Sequence, residues 1–157
     1  MWIPVAIAGS LAALAARPQV RLAIDEADID LPPEALLEQL RTRFLDARDG
    51  EILAAGVHSL VRRFSGRAGA FPYRTVELVR FEAAAVTFEH LSGPFAECSE
   101  RFDLLSANDG GTTLVHSGTY RLRGGLFTAP LAFGPAKTAF EGHVRGHLQT
   151  MPTTFRA

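Results

Sequence analysis

Residues 51–124 carry the pattern that most constrains how this chain can fold. Apolar and polar residues alternate through this stretch, and residues that favour turns interrupt the alternation at short intervals. Alternation with a period of two predicts strands that bury one face, and short separators predict antiparallel neighbours. Four or five strands are predicted, roughly over Ile52–Phe64, Phe71–Phe81, Ala84–Leu91, Phe95–Leu105 and Thr112–Arg123.

A strand and a helix are predicted ahead of this stretch. Residues 19–30 alternate, which predicts a first strand with Val20 and Ile24 on one face. Residues 33–47 have apolar side chains at helical spacing, follow Pro32 and begin with Pro33-Glu34. A proline and an acidic residue in the first turn favour a helix start, so an amphipathic helix is predicted there.

The last predicted element is a long C-terminal helix. It begins at Gly134-Pro135, and Pro152 is predicted to stop it after Met151. The element order predicts an α+β fold, in which a curved antiparallel sheet of six to seven strands wraps around this helix. A helix laid across a curved sheet leaves space beneath it, so a ligand cavity is predicted between them. The apolar stripe facing that space comprises Ala136, Phe140, Val144, Leu148 and Met151.

Composition argues against several classes of function. The formal net charge is −1, and the longest Lys/Arg run is Arg62-Arg63, so the sequence lacks the positive charge of a nucleic-acid binder. With Cys98 as the one cysteine, no internal disulfide can form. Glycine-rich nucleotide loops, G-x-S-x-G elbows and paired-cysteine metal motifs are absent from the sequence. No cofactor is therefore expected.

The N-terminal residues 2–16 contain no charged residue, and Arg17-Pro18 follows them. Three interpretations stay open. A signal peptide would need a basic region first, and a transmembrane helix needs about 20 apolar residues. A membrane-associated or docked helix needs neither a basic region nor a length of 20 residues. The chain is predicted to divide into an apolar segment over 1–17 and a ligand-binding domain over 18–157. The protein is expected in the cytoplasm or at a membrane. The oligomeric state is left open.

Over about residues 19–151 the chain resembles the START/Bet v 1-like (SRPBCC) superfamily, which includes polyketide cyclase/dehydrase and lipid-transport proteins. The resemblance rests on Asp30–Glu34, Val86–Phe95, Gly111–Leu122 and Phe140–Leu148. It implies a helix-grip fold with a deep cavity for a lipid, sterol, quinone or polyketide-like molecule. Superfamily members include carriers and enzymes, and these stretches are structural marks, so they support the fold better than a function.

Three histidines, His58, His90 and His116, lie in inward phases of predicted strands. They could contact a ligand or act as acids and bases. A three-histidine metal site is conceivable but disfavoured, since the usual ligand spacings are absent, and no metal is predicted. The acid/base candidates are His90, Glu100, His116 and Tyr120. The predicted ligand contacts are His58, Phe88, His90, Cys98, Glu100, Phe102, His116, Tyr120, Phe140, Val144 and Leu148.

Other polar residues have less specific interpretations. A buried Glu100 beside a histidine is expected to have a raised pKa, and the alternative is an outward, solvated Glu100. Cys98 is expected to be a small core residue rather than a nucleophile. His143 and His147 lie at i and i+4, where they would flank the apolar stripe. The arginines around one hairpin, Arg62 among them, are typical of a solvated sheet face.

The sequence favours a non-catalytic binder or carrier of a hydrophobic small molecule in this cavity. The alternative is a metal-free polyketide cyclase, aromatase or dehydratase that uses the acid/base candidates. A third interpretation is an interaction module tethered to a membrane through residues 2–16.

Overall fold

A computed structural model describes residues 19–46, 50–68, 71–124 and 129–155. The apolar segment over 1–17 lies outside these residues. The strands are β1 Val20–Arg21, β2 Asp25–Ile29, β3 Glu51–Ala55, β4 Ser59–Ala68, β5 Phe71–Glu82, β6 Ala85–Ser92, β7 Phe95–Ser106 and β8 Thr112–Leu122. The helices are α1 Pro33–Leu45, α2 Ala129–Phe133 and α3 Pro135–Thr154.

The strands form one antiparallel sheet in the order β1-β8-β7-β6-β5-β4-β3, and β2 also pairs with β8. Helix α3 contacts β2 and β4, at opposite sides of the sheet, and α2 packs on α3 and β8. The predicted α+β helix-grip architecture is therefore confirmed. The sequence did not predict α2.

Two apolar clusters occupy the concave side of the sheet. The larger one joins α1, α3 and the central strands, and Leu36, Leu40, Val144 and Leu148 are its helical members. The smaller cluster comprises Val20, Leu22, Cys98, Tyr120 and Ala132. Phe140 of α3 packs against both clusters, so this helix holds the two ends of the concave face together.

The predicted first strand is broken in two. The backbone N–H of Ala23 donates to Glu141 Oε1 of α3 at 2.6 Å instead of to a neighbouring strand. Ile24, which was predicted to share a buried face with Val20, is exposed. Local alternation could not predict this break because it depends on a side chain more than a hundred residues away.

The strand predicted over Ile52–Phe64 is wrong, because this stretch is the hairpin of β3 and β4. The N–H of Gly56 donates to the carbonyl of Ser59 at 2.7 Å and closes the turn. His58 lies in that turn and is exposed, so its predicted place in an inward strand phase is also wrong.

The predicted stop at Pro152 is wrong as well, since α3 continues to Thr154 with the proline inside it. A proline cannot donate the usual backbone hydrogen bond, which normally ends a helix. Pro152 leaves the Leu148 carbonyl without its helical donor, and two residues further on the hydroxyls of Thr153 and Thr154 donate to the Thr150 carbonyl at 2.9 and 2.8 Å. The next residue, Phe155, is buried in the larger cluster and anchors the helix end.

Candidate functional site

Four neighbouring strands each place one carboxylate or imidazole on the concave face. These side chains are Glu77 of β5, His90 of β6, Glu100 of β7 and His116 of β8, and together they form what we call the polar band. Each follows from alternation, because its neighbours two positions away are core residues such as Val79 or Phe88. The antiparallel register then brings the four side chains together.

Glu100 lies at the centre of the polar band. Its Oε1 is 3.0 Å from His90 Nε2, and its Oε2 is 3.0 Å from His116 Nε2. Glu77 Oε1 lies 3.5 Å from His90 Nε2 and accepts a hydrogen bond from the Thr75 hydroxyl at 2.5 Å. One carboxylate therefore bridges two imidazoles, and a second carboxylate lies beside the first imidazole.

Aromatic rings bound the polar band on both sides. Phe95 packs on His90 with ring centroids 5.4 Å apart, and Phe102 packs on His116 at 5.0 Å. The side chain of His116 is 1% exposed, whereas that of Glu100 is 13% exposed. Solvent therefore reaches the carboxylates of the band although its imidazoles lie almost fully buried.

A glycine makes room for the central carboxylate. Gly118 of β8 is the register partner of Glu100, and a Cβ at this position would lie 3.2 Å from Glu100 Cγ and 3.0 Å from Ser99 O. Any larger side chain would therefore press on Glu100 and on the backbone of β7.

The hydrogen bonds decide the protonation of Glu100. Burial alone would raise its pKa, but the hydrogen bonds from His116 and His90 and the charge on both rings lower the pKa to about 2. The expected raised pKa of Glu100 is therefore wrong, because both of its oxygens accept charge-assisted hydrogen bonds. A carboxylate only accepts, so each Nε2 carries a hydrogen.

The pKa values of the neighbouring groups are raised, whereas that of Glu100 is lowered. Burial lowers the pKa of His90, but the hydrogen bond to Glu100 and the charges of Glu77 and Glu100 outweigh it and raise the pKa. Burial raises the pKa of Glu77, against the opposing effects of His90 and Thr75. Burial and the two nearby carboxylates also raise the pKa of the Cys98 thiol, which keeps it protonated and unreactive, as expected.

The far nitrogens of both imidazoles lack partners. Nδ1 of His90 and Nδ1 of His116 are buried, and neither has a hydrogen-bond partner among the described residues. A buried polar atom left unpaired typically costs about 1–3 kcal/mol. The polar band therefore retains hydrogen-bonding capacity that the described part of the protein does not use.

A contact between α3 and β5 lies near the polar band. The Tyr73 hydroxyl is 3.2 Å from His143 Nε2, and the His143 ring packs edge-on to His147 at 4.5 Å. His143 is half-buried and His147 is exposed, as their predicted position beside the apolar stripe requires. Burial and the neighbouring His147 lower the pKa of His143.

The structure brings most of the predicted site residues to the concave side. His90, Glu100 and His116 form hydrogen bonds, and the other predicted contacts except His58 lie in the two apolar clusters. The Tyr120 hydroxyl donates to the Ala132 carbonyl, so this acid/base candidate is already engaged with α2. His58 is exposed in its turn, so the three histidines do not converge on one point.

Among the described residues, two buried charged side chains were missed. Glu77 alternates with Thr75 and Val79, and this phase was a signal that could have identified it as inward. Arg62 was assigned to a solvated face, but it is 1% exposed, and its Nη1 donates to the Phe44 carbonyl at 2.6 Å. The charge of Arg62 suggested that its side chain is exposed, but its position in the alternation of β4 places it on the buried face.

Two depressions among the described residues differ from the predicted cavity, because neither has a lining residue from α3. One, of about 390 Å³, lies between the end of β2 and the β7–β8 turn. The other, of about 480 Å³, is lined by exposed residues such as Arg80, Glu89 and Ser99, and also by the predicted site residues Phe88, His90, Cys98 and Tyr120. Side chains from α1 and α3 fill the centre of the concave side, which explains the difference.

Among the helices that the structure describes, none combines the length and apolarity needed to cross a membrane.

No protein-family model and no curated protein matches the sequence. Solved structures do match the fold. The Thermus thermophilus protein TTHA0849 is 20% identical and superposes with a TM-score of 0.68 over 87% of this chain and 95% of that chain. The aromatase/cyclase ZhuI from Streptomyces sp. R1128 is 13% identical, with a TM-score of 0.61 over 85% of this chain and 95% of that one.

A START superfamily protein from Mycobacterium smegmatis is 12% identical, with a TM-score of 0.55 over 84% of this chain and 99% of that chain. Identities this low establish shared architecture and nothing about chemistry. The sheet order, the long C-terminal helix and these superpositions together show that the chain has the START/Bet v 1-like helix-grip fold.

Proposed function

We propose that the protein binds a small, predominantly apolar molecule against the concave face of the sheet, with a polar group of that molecule at the polar band. The observation that carries this proposal is the polar band itself. It is hydrogen-bonded, almost buried and bounded by aromatic rings, yet both of its carboxylates keep a little exposure, 11% at Glu77 and 13% at Glu100.

A purely structural role accounts poorly for this arrangement. Burying two carboxylates and two imidazoles is costly, and well-packed apolar residues of similar size usually give equal or greater stability. Binding sites, in contrast, typically combine apolar walls with a few convergent polar groups. Phe95 and Phe140, stacked with centroids 5.4 Å apart, supply such a wall beside His90.

The unpaired nitrogens support the same proposal. His90 Nδ1 and His116 Nδ1 have no partner in the described residues, and a hydroxyl or carbonyl of a bound molecule would satisfy such atoms. Molecules that combine an apolar body with these groups include lipids, sterols, quinones and polyketide-like compounds. One of the structural neighbours is an aromatase/cyclase.

The direct test is identification of what the protein carries. Native mass spectrometry of the purified full chain, followed by organic extraction, should reveal a co-purified apolar molecule. Binding of an environment-sensitive apolar fluorophore, anilinonaphthalene sulfonate, should be saturable and should weaken in Phe140→Ala. Phe133→Ala is the matched control because this ring, on α2, is exposed.

The proposal fails if the folded protein carries nothing and also shows no saturable fluorophore binding. It fails equally if Phe140→Ala and Phe133→Ala bind the fluorophore as the unmodified protein does. Thermal unfolding of each variant separates lost binding from lost folding.

The His90–Glu100–His116 chain of hydrogen bonds favours a second candidate, an acid/base enzyme of the cyclase or dehydratase kind. In dehydration of a β-hydroxyketone, one imidazole would take the proton next to the carbonyl, and the other would donate to the departing hydroxyl. The products are an enone and water. Glu100, hydrogen-bonded to both rings at 3.0 Å, would hold them in place.

Formation of the enone absorbance from an aryl β-hydroxyketone tests this candidate. Turnover should fall at least tenfold in His90→Gln and in His116→Gln, while His147→Gln, altered at an exposed position, should retain it. If the fluorophore still binds and no substrate of this class turns over, the enzyme candidate is rejected and the binder remains.

A further inference from the structure

Three donor atoms of different chemistry converge at one end of the polar band. His90, Cys98 and Glu100 each offer one nitrogen, sulfur or oxygen atom, and these atoms lie within 4.8 Å of one another. Cys98 and Glu100 share a face of β7. The pairs Phe88–Glu100 and Glu89–Ser99 of the β6–β7 ladder leave His90 beside Cys98.

We propose that His90, Cys98 and Glu100 form a binding site for a divalent transition-metal ion of the zinc class. Nitrogen, thiolate sulfur and carboxylate oxygen are the donors that zinc prefers in proteins. The inference goes beyond apolar-ligand binding and does not depend on it.

The distances suit a single ion. Two ligands of one tetrahedral zinc, each about 2.0–2.1 Å from it, lie roughly 3.3 Å apart. His90 Nε2 and Glu100 Oε1 are already 3.0 Å apart. A Cys98 sulfur on the same ion would lie about 3.6 Å from the other two donor atoms, and the three atoms already lie within 4.8 Å of one another.

His116 is placed to orient the carboxylate. It binds Oε2 of Glu100 at 3.0 Å, which leaves Oε1 on the side of His90 and Cys98. In protein metal sites, a second hydrogen bond of this kind holds a ligand in its coordinating orientation. We therefore assign His116 a positioning role and no bond to the ion.

Metal binding would replace a hydrogen bond of the polar band. The ion takes the place of the hydrogen between His90 Nε2 and Glu100 Oε1: the imidazolium of His90 releases this proton to solvent and keeps its hydrogen on Nδ1. The Cys98 thiol likewise loses its proton to solvent as the sulfur–metal bond forms. No oxidation is involved. The hydrogen-bonded and metal-bound forms are thus two alternative states of the same side chains.

Cobalt provides the direct test, because Co²⁺ occupies zinc sites and a thiolate ligand gives it a near-ultraviolet charge-transfer band. Titration of the chelator-treated, reduced full chain should give this band with one-to-one stoichiometry, and Zn²⁺ should abolish it. Cys98→Ser should remove the band. His116→Gln should weaken Co²⁺ binding by about 10–100-fold without removing it, as loss of an orienting partner does.

His147→Gln is the matched control because His147 is exposed on α3. The proposal is overturned if the unmodified protein gives no saturable charge-transfer band, or if Cys98→Ser keeps it. If Cys98→Ser fails to fold, the titration of the unmodified protein still tests the metal-site proposal. Fluorophore binding, measured on the same samples, distinguishes this failure from failure of the proposed function.

Discussion

Gly118 and Glu100 face each other in the β7–β8 ladder, and the missing side chain of one gives the other its space. A Cβ on Gly118 would lie 3.2 Å from Glu100 Cγ and 3.0 Å from both Leu22 Cδ1 and Ser99 O. The central carboxylate of the polar band therefore depends on a residue that carries no functional group.

Replacing Gly118 with alanine should destabilise the protein. Overpacking of a well-filled site typically costs about 1–3 kcal/mol, and the backbone oxygen of Ser99 cannot move away cheaply. Urea unfolding measures the change. Gly142→Ala is the control, since its Cβ would meet nothing, and the better helix propensity of alanine should stabilise α3 by up to about 1 kcal/mol. Equal effects at the two positions would contradict the steric argument.

Glu100→Gln should lower the free energy of unfolding at neutral pH. The amide keeps the shape but loses the charge that both imidazoles bind, and hydrogen bonds to charged groups contribute about 1.5–3 kcal/mol. Glu97→Gln lies on the same strand but is exposed, so its effect should stay within about 0.5 kcal/mol. A stability loss no larger than that of Glu97→Gln would show that the network is energetically neutral.

Leu148→Ala should destabilise the protein by about 2–5 kcal/mol, because truncation of a buried leucine leaves a cavity. Leu148 joins α3 to the larger cluster, so its loss should loosen the helix on the sheet. Leu131→Ala on α2 removes an equal volume from an exposed position and should change little. Denaturant unfolding compares the two variants, and similar losses would contradict the assigned packing of α3.

His143 should make the protein less stable in mild acid. Its pKa in the folded protein is lowered by burial and by His147, so the unfolded chain binds its proton first. The stability contribution is complete above the unfolded pKa of about 6.5 and declines as the pH falls towards the folded value. His143→Gln should therefore flatten the dependence of unfolding free energy on pH just below 6.5.

Comparing the pH profile of His143→Gln with that of the unmodified protein isolates the contribution of His143, because Tyr73, His147 and Glu100 are present in both. His58→Gln is the control, since this histidine is exposed in the β3–β4 turn and its loss should leave the profile as it was. An unchanged pH profile in His143→Gln would overturn the prediction.

Deleting residues 1–17 should reduce partition into liposomes. Residues 2–16 carry no charge, which favours contact with a membrane surface, whereas residues 18–157 have ordinary soluble composition. Co-sedimentation of the full and shortened chains with phosphatidylcholine vesicles measures this. Equal partition of the two chains would remove the membrane interpretation.

Much of the candidate site could be predicted from sequence. Alternation alone placed His90, Glu100 and His116 in inward phases, and the structure confirms those phases. The same rule applied to Thr75, Glu77 and Val79 would have added the fourth member of the polar band. The protonation of Glu100 could not be predicted, because its lowered pKa depends on which side chains meet its two oxygens.

What the sequence by itself determined is therefore the local part: the strand periodicity, the proline-led helix starts and the face on which each side chain lies. The tertiary structure decided where elements break and which groups meet. Glu141 interrupts the first strand at Ala23, and the buried Phe155 anchors the end of α3 beyond Pro152. Periodicity is a property of the backbone of a few residues, whereas these outcomes depend on contacts between segments far apart in the chain.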